Sequence, residues 1–187
     1  MPDAERLSPI HKSITVPWNQ SRAFERFTRG IATWWPLRTH SLGLDRAETV
    51  VFEGRVGGQI RESIQGGAES VWGTVLEWHP PERVSFTWHP GKPAATAQRV
   101  DLRFVPEGPG TRVELTHSGW EALGPLAKVA RRGYPLGWAY VLCLYADRRH
   151  APVVLLTDVM QKAFGPMLKR RFEKLEARAA ALERPPR

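Results

Sequence analysis

The chain of 187 residues contains one cysteine, Cys143. A lone thiol closes no internal disulfide and builds no metal centre by itself, and it suits a reducing cytoplasm. Long apolar runs are also missing: none approaches the roughly 20 residues that span a bilayer, so no membrane role is expected. The opening MPDAERLSPI has neither a basic nor an apolar segment and does not read as a signal peptide. Histidines 11, 40, 79, 89, 117 and 150 are scattered without His-x-x-x-His spacing, which argues against zinc. The pairs Gly57-Gly58 and Gly66-Gly67 fit neither a Walker loop nor a dinucleotide fingerprint, and there is no Gly-x-Ser-x-Gly elbow. These absences leave no expected catalytic set, metal or cofactor.

What is present fits one ordinary domain with an appendage. Apolar residues make up 42% and charged residues 25%, as in a typical globular protein. The net charge is +8, and its location matters. Residues 1–122 carry 14 basic and 14 acidic side chains, whereas residues 123–187 carry 13 and 5. The excess therefore sits in the C-terminal third. A basic helical tail is usually a solvated face, and no nucleic-acid motif accompanies it, so no nucleic-acid partner is expected.

Periodicity gives the elements. Ile10 to Val16 reads as a strand with Ile10, Ile14 and Val16 on one face. Asn19 or Ser21 can cap a helix bearing Phe24 and Phe27, and a second short helix is expected from Gly30 to Trp35, stopped by Pro36. Six β-rich runs come next, at residues 49–53, 59–64, 70–78, 83–89, 98–105 and 112–117, separated by Gly- and Pro-rich turns. This spacing predicts an antiparallel meander. Period-two parity collects Trp72, Leu76, Trp78, Val84, Phe86, Trp88, Val100, Leu102, Phe104, Val113 and Leu115 on one face, while Arg99, Asp101, Arg103, Arg112 and Glu114 face water. A helix over Leu136 to Arg149, apolar nearly all round, is expected to cover the apolar face. Beyond residue 150 a stripe from Met160 to Leu182, broken at Gly165-Pro166, predicts further basic helices.

The strings TWWP (33–36), FEGRVGGQIRE (52–62), WGTVLEWHPPERVSFTWHPG (72–91), GTRVELTHSGWE (110–121) and GW (137–138) carry a resemblance. Over residues 8 to 149 the sequence resembles the START and birch-pollen-allergen-like (SRPBCC) superfamily, and within it the bacterial proteins grouped with the activator of heat-shock protein 90 ATPase. The resemblance implies an α+β helix-grip fold: a curved antiparallel sheet of six or seven strands wrapped around a long helix, with extra C-terminal helices. Residues 1–149 would form that domain, and residues 150–187 a basic helical extension packed on it.

A sheet that grips a helix can leave a pocket between them. Parity places three polar side chains, Glu62, Thr74 and His117, on the apolar face. An ionisable group there is costly unless paired. Glu62 and His117 could form a buried acid–base pair that orients a ligand, or each could simply bond a nearby backbone or loop group. Trp and Phe walls suit a flat apolar ligand, although aromatics also dominate ordinary cores. The candidate lining is Trp34, Trp35, Glu62, Trp72, Thr74, Phe86, Trp88, Phe104, His117 and Trp138, with Trp34 and Trp35 near the mouth and Trp88 favoured beside them. Three functions stay open: a module binding a small apolar or aromatic molecule, a co-chaperone-like interaction domain with a chaperone partner or a homodimer, and a cyclase- or hydrolase-like enzyme using Glu62 and His117.

Overall fold

The computed structural model describes residues 7–160. Seven strands form one antiparallel sheet: β1 (Ile10–Val16), β2 (Ala47–Phe52), β3 (Gln59–Ile64), β4 (Ala68–His79), β5 (Arg83–Trp88), β6 (Gln98–Glu107) and β7 (Gly110–Ser118). Their spatial order is β1-β7-β6-β5-β4-β3-β2. Strands β2 to β7 thus form the expected meander, and β1 returns to pair with β7 along its whole length. The inner face of β5, β6 and β7 is the one that parity assigns: Val84, Phe86, Trp88, Val100, Leu102, Phe104, Val113 and Leu115 are all buried. The outer face is laced by ion pairs, with Arg99 joining Glu77 at 2.7 Å and Asp101 at 2.8 Å.

Strand β4 departs from simple alternation. Ile60 pairs with Gly73 and Arg61 with Val71, so Trp72 is an extra residue against β3. Val75 pairs with Phe86 and Glu77 with Ser85, so Leu76 is extra against β5. Each bulge reverses the facing of the residues after it. Val75 therefore turns inward and is buried, Leu76 turns outward and is exposed, and the second reversal restores Trp78 to the inner side against Phe24 and Phe52. Thr74 is turned away from the apolar face, contrary to parity. It pairs with Gln59 on the outer side, where its amide donates to Thr87 Oγ1 at 2.8 Å. Gly73 has no room for a side chain, since a Cβ there would lie 1.7 Å from the Thr87 carbonyl oxygen.

Helix α1 (Gln20–Phe27) begins at Asn19, whose side chain accepts from the Arg22 amide at 2.9 Å, and it buries Ala23, Phe24 and Phe27. The helix expected over Gly30 to Trp35 is a single 3₁₀ turn, Ile31–Thr33. Pro36 disfavours helical backbone at the residue before it. The long helix α2 (Ala127–Tyr145) starts nine residues earlier than expected from Leu136 and ends before Arg149. It accommodates Pro135, although proline leaves the Arg131 carbonyl without its helical donor. Its inner face compensates by burying Ala127, Ala130, Trp138, Val141, Leu142 and Tyr145, and Tyr145 Oη donates to the Ala23 carbonyl at 2.8 Å.

A third helix, α3, covers residues 152–160. It buries Val154 in the main core, and its Asp158 accepts the Tyr140 hydroxyl at 2.9 Å. The rest of the expected basic stripe, from residue 161 onward, lies outside the described residues. Among the described residues, no helix is long and apolar enough to cross a membrane.

Candidate functional site

Between α2, the loop after the Ile31–Thr33 turn and the end of β5 lies a cleft of about 340 Å³. Its α2 wall is Ala130, Gly133, Tyr134, Gly137, Trp138 and Val141. These positions recur at three- and four-residue spacing, which is one face of a helix. Two of them are glycines at which an added Cβ would meet nothing within 4 Å. The missing side chains help to leave the space open.

Trp35 and Trp88 make the opposite and inner walls, and Trp138 meets them from α2. Trp35 and Trp88 are 5.7 Å apart by ring centroid, Trp88 and Trp138 are 5.8 Å apart, and Trp35 and Trp138 are 6.4 Å apart. Each indole N–H is tied to a different group. Trp35 donates to the His40 carbonyl at 2.7 Å, Trp88 to Tyr134 Oη at 3.2 Å and Trp138 to His117 Nδ1 at 3.0 Å. With their polar edges satisfied, the rings present carbon surface to the cleft.

The other sequence candidates stand behind this wall. Trp34 is buried against Phe27 and Tyr145, and its indole donates to the Arg26 carbonyl. Trp72 backs Trp35 and Trp88, while Phe86 backs Trp88. Phe104 packs on Phe24 and Phe27. Thr74 is on the outer face. None of these five lines the cleft.

Glu62 and His117 are both fully buried, as parity requires, but they do not form a pair. They sit on β3 and β7, four strand steps apart in the sheet. The Glu62 carboxylate accepts the amides of Leu42 (3.0 Å) and Gly43 (2.7 Å) and the Trp72 indole N–H (3.0 Å). Three donors on one carboxylate make it the anchor of the loop before β2, not a free acid. His117 is enclosed by Trp120, Tyr134 and Trp138. Burial lowers its pKa to about 3, so the ring is neutral. Because Nδ1 accepts from Trp138, the ring proton belongs on Nε2, which is buried without a hydrogen-bond partner.

Two polar residues on the cleft wall were not anticipated: Tyr134 and His40. Tyr134 falls in a segment that Pro135 makes look like a loop, and its spacing to Trp138 and Val141 was the one signal pointing to it. His40 lies in a turn with no periodicity. Its ring stacks on Tyr140 with centroids 4.9 Å apart, and burial lowers its pKa to about 4 against an opposing pull from Asp158.

Several solved structures share this fold. A Mesorhizobium loti protein aligns at 17% identity with TM-score 0.57, over 75% of this chain and 95% of that one. A structure described as the Aha1 dimer from Colwellia psychrerythraea aligns at 17% identity with TM-score 0.50, over 75% and 95%. An anthrahydroquino-gamma-pyrone synthase, solved as a complex, aligns at 30% identity with TM-score 0.54, over 79% of this chain and 99% of that one. No curated protein matches the sequence. Residues 19–142 match the family described as activator of Hsp90 ATPase homolog 1-like protein, which contains nearly every element that walls the cleft, and the chain belongs to that family.

Proposed function

We infer that the chain is a small-molecule binding module whose cleft takes a flat, apolar aromatic molecule. The observation that carries this is the wall itself: three indoles with their N–H groups already bonded, Trp35 and Trp88 facing the α2 surface that bears Trp138 and is emptied by Gly133 and Gly137. The volume of about 340 Å³ falls within the range of about 300–1,000 Å³ common to small-molecule sites. Binding would bury ligand carbon against tryptophan faces at roughly 25 cal/mol per Å² of apolar surface removed from water.

A second reading has its own support. The anthrahydroquino-gamma-pyrone synthase is 30% identical over nearly its whole length, which favours an enzyme that acts on an aromatic polycycle. Such an enzyme would not use Glu62 and His117 together, given their separate partners, and its chemistry would fall to groups on the cleft wall. A co-chaperone role follows from the family description alone, and a fold or family name does not carry an activity.

The test is native mass spectrometry of the purified protein, followed by denaturing extraction and analysis of what it carried, with a thermal-shift screen of aromatic and lipid compounds in parallel. The reading expects a stoichiometric aromatic passenger or a set of aromatic hits. A clean unliganded mass with no shift across the library overturns it.

A further inference from the structure

The cleft wall is largely carbon, so the few polar atoms that reach it decide what a ligand must carry. Tyr134 supplies one. Its oxygen accepts the Trp88 indole N–H at 3.2 Å. A phenol keeps one hydrogen to donate, and this one has no acceptor among the described residues. Burial raises the pKa of the group, so the hydrogen stays in place at neutral pH. Tyr134 stands on the cleft wall with one hydrogen left to donate.

His40 offers the opposite. Its Nδ1 lies 3.0 Å from Thr39 Oγ1. The Thr39 hydroxyl has one hydrogen, which points to the Pro36 carbonyl at 3.2 Å, with the Tyr140 phenol as the alternative acceptor. With that hydrogen on the Pro36 carbonyl, the Thr39 oxygen accepts from His40, which places the ring proton on Nδ1. Nε2 is then a bare lone pair on a neutral ring. The ring is held in place from behind, stacked on Tyr140, whose hydroxyl is fixed by Asp158 of α3.

We propose that the cleft selects a flat aromatic molecule bearing both a carbonyl-type acceptor and a hydroxyl donor, a hydroxylated aryl ketone or quinone, and that Tyr134 and His40 set its orientation. The proposal rests on the reading that the cleft binds an aromatic molecule. It adds a donor–acceptor code to that reading and names the two residues that hold it. Site groups built to hydrogen-bond a ligand discriminate against analogues that lack the matching group.

Four three-ring probes separate the parts. 2-Hydroxyanthraquinone has both groups, anthraquinone only the acceptor, 2-hydroxyanthracene only the donor, and anthracene neither. Tryptophan fluorescence quenching gives a Kd for each with the wild-type chain, Tyr134→Phe and His40→Phe. The phenylalanine at 40 keeps a ring on Tyr140 and removes the acceptor. The wild type should bind 2-hydroxyanthraquinone most tightly, each polar group contributing about fivefold. Tyr134→Phe should erase the advantage of anthraquinone over anthracene, and His40→Phe that of 2-hydroxyanthracene. Equal affinity for all four probes overturns the code and leaves the aromatic cleft standing. Failure of every probe to bind overturns the cleft reading itself. Should a variant fail to fold, the wild-type ranking alone decides.

Discussion

An imidazole closed in by Trp120, Tyr134 and Trp138 is hard to protonate, because the charged form has lost its water and gained no counter-ion. For His117 the pKa falls from 6.5 to about 3. Between those values the folded chain holds fewer protons than the unfolded chain, so stability rises with pH across the window and is lost as pH drops through it. His40 acts with the same sign from 6.5 down to about 4. The lowered carboxyls of Glu77 and Glu107 begin to cost stability only below their unfolded value of 4.5. Acid sensitivity between pH 4.5 and 6.5 therefore isolates the two histidines. Urea unfolding should show a loss approaching about 1.4 kcal/mol per pH unit for each of them. His117→Leu should roughly halve that slope while also lowering stability at neutral pH, since it leaves the Trp138 N–H unpaired. An unchanged slope would place the titration on other groups. Parity made the burial of His117 and Glu62 legible. It did not reveal their partners, because a backbone amide from a distant loop or an indole from α2 has no signature in strand alternation.

Strand β4 shows what parity can and cannot read. Its tryptophans face inward as alternation demands, but only because two bulges cancel. Between the bulges every facing is reversed, which put Val75 in the core, Leu76 in water and Thr74 on the outer side. The Trp72-Gly73 pair marks the first bulge, and its glycine is dictated by the Thr87 carbonyl oxygen at 1.7 Å from any Cβ. Gly73→Ala has to push β4 and β5 apart in the middle of the sheet. Chemical denaturation should show a loss of about 3 kcal/mol or more, at the upper end of what single substitutions do. A loss under about 1 kcal/mol would mean that the strands separate easily there. Helix α2 has the converse history. Its second half was legible from unbroken apolarity, whereas Gly133, Pro135 and Gly137 disguised its first half as a loop. Packing outweighed local propensity, and the two glycines that helped to hide the helix open the cleft.

At the scale of the whole molecule, the meander and the covering helix were legible because turn chemistry and strand spacing report directly on topology. The cleft was not, because it forms where three separate segments meet: the end of β5, the loop carrying Trp35 and His40, and the Gly133–Gly137 face of α2. Through Tyr140 and Asp158, α3 is tied to the same corner. A ligand seated there bridges elements that unfolding must separate, so binding adds directly to folding stability. At a hundredfold excess over Kd the gain is about 2.7 kcal/mol. For a chain of this size each kcal/mol raises Tm by about 2–4 °C, so a saturating aromatic probe such as 2-hydroxyanthraquinone should shift Tm by about 5–10 °C. Gly137→Leu locates that effect. The new side chain meets no atom within 4 Å at its Cβ and improves helix propensity by up to about 1 kcal/mol, so the unliganded variant should melt at or above the wild-type temperature. Its side chain occupies the cleft, so the ligand-induced shift should vanish. A stable Gly137→Leu protein that keeps the full shift would mean that the probe binds elsewhere. A variant that is stable and indifferent to the probe would tie binding to the space that the glycine leaves open.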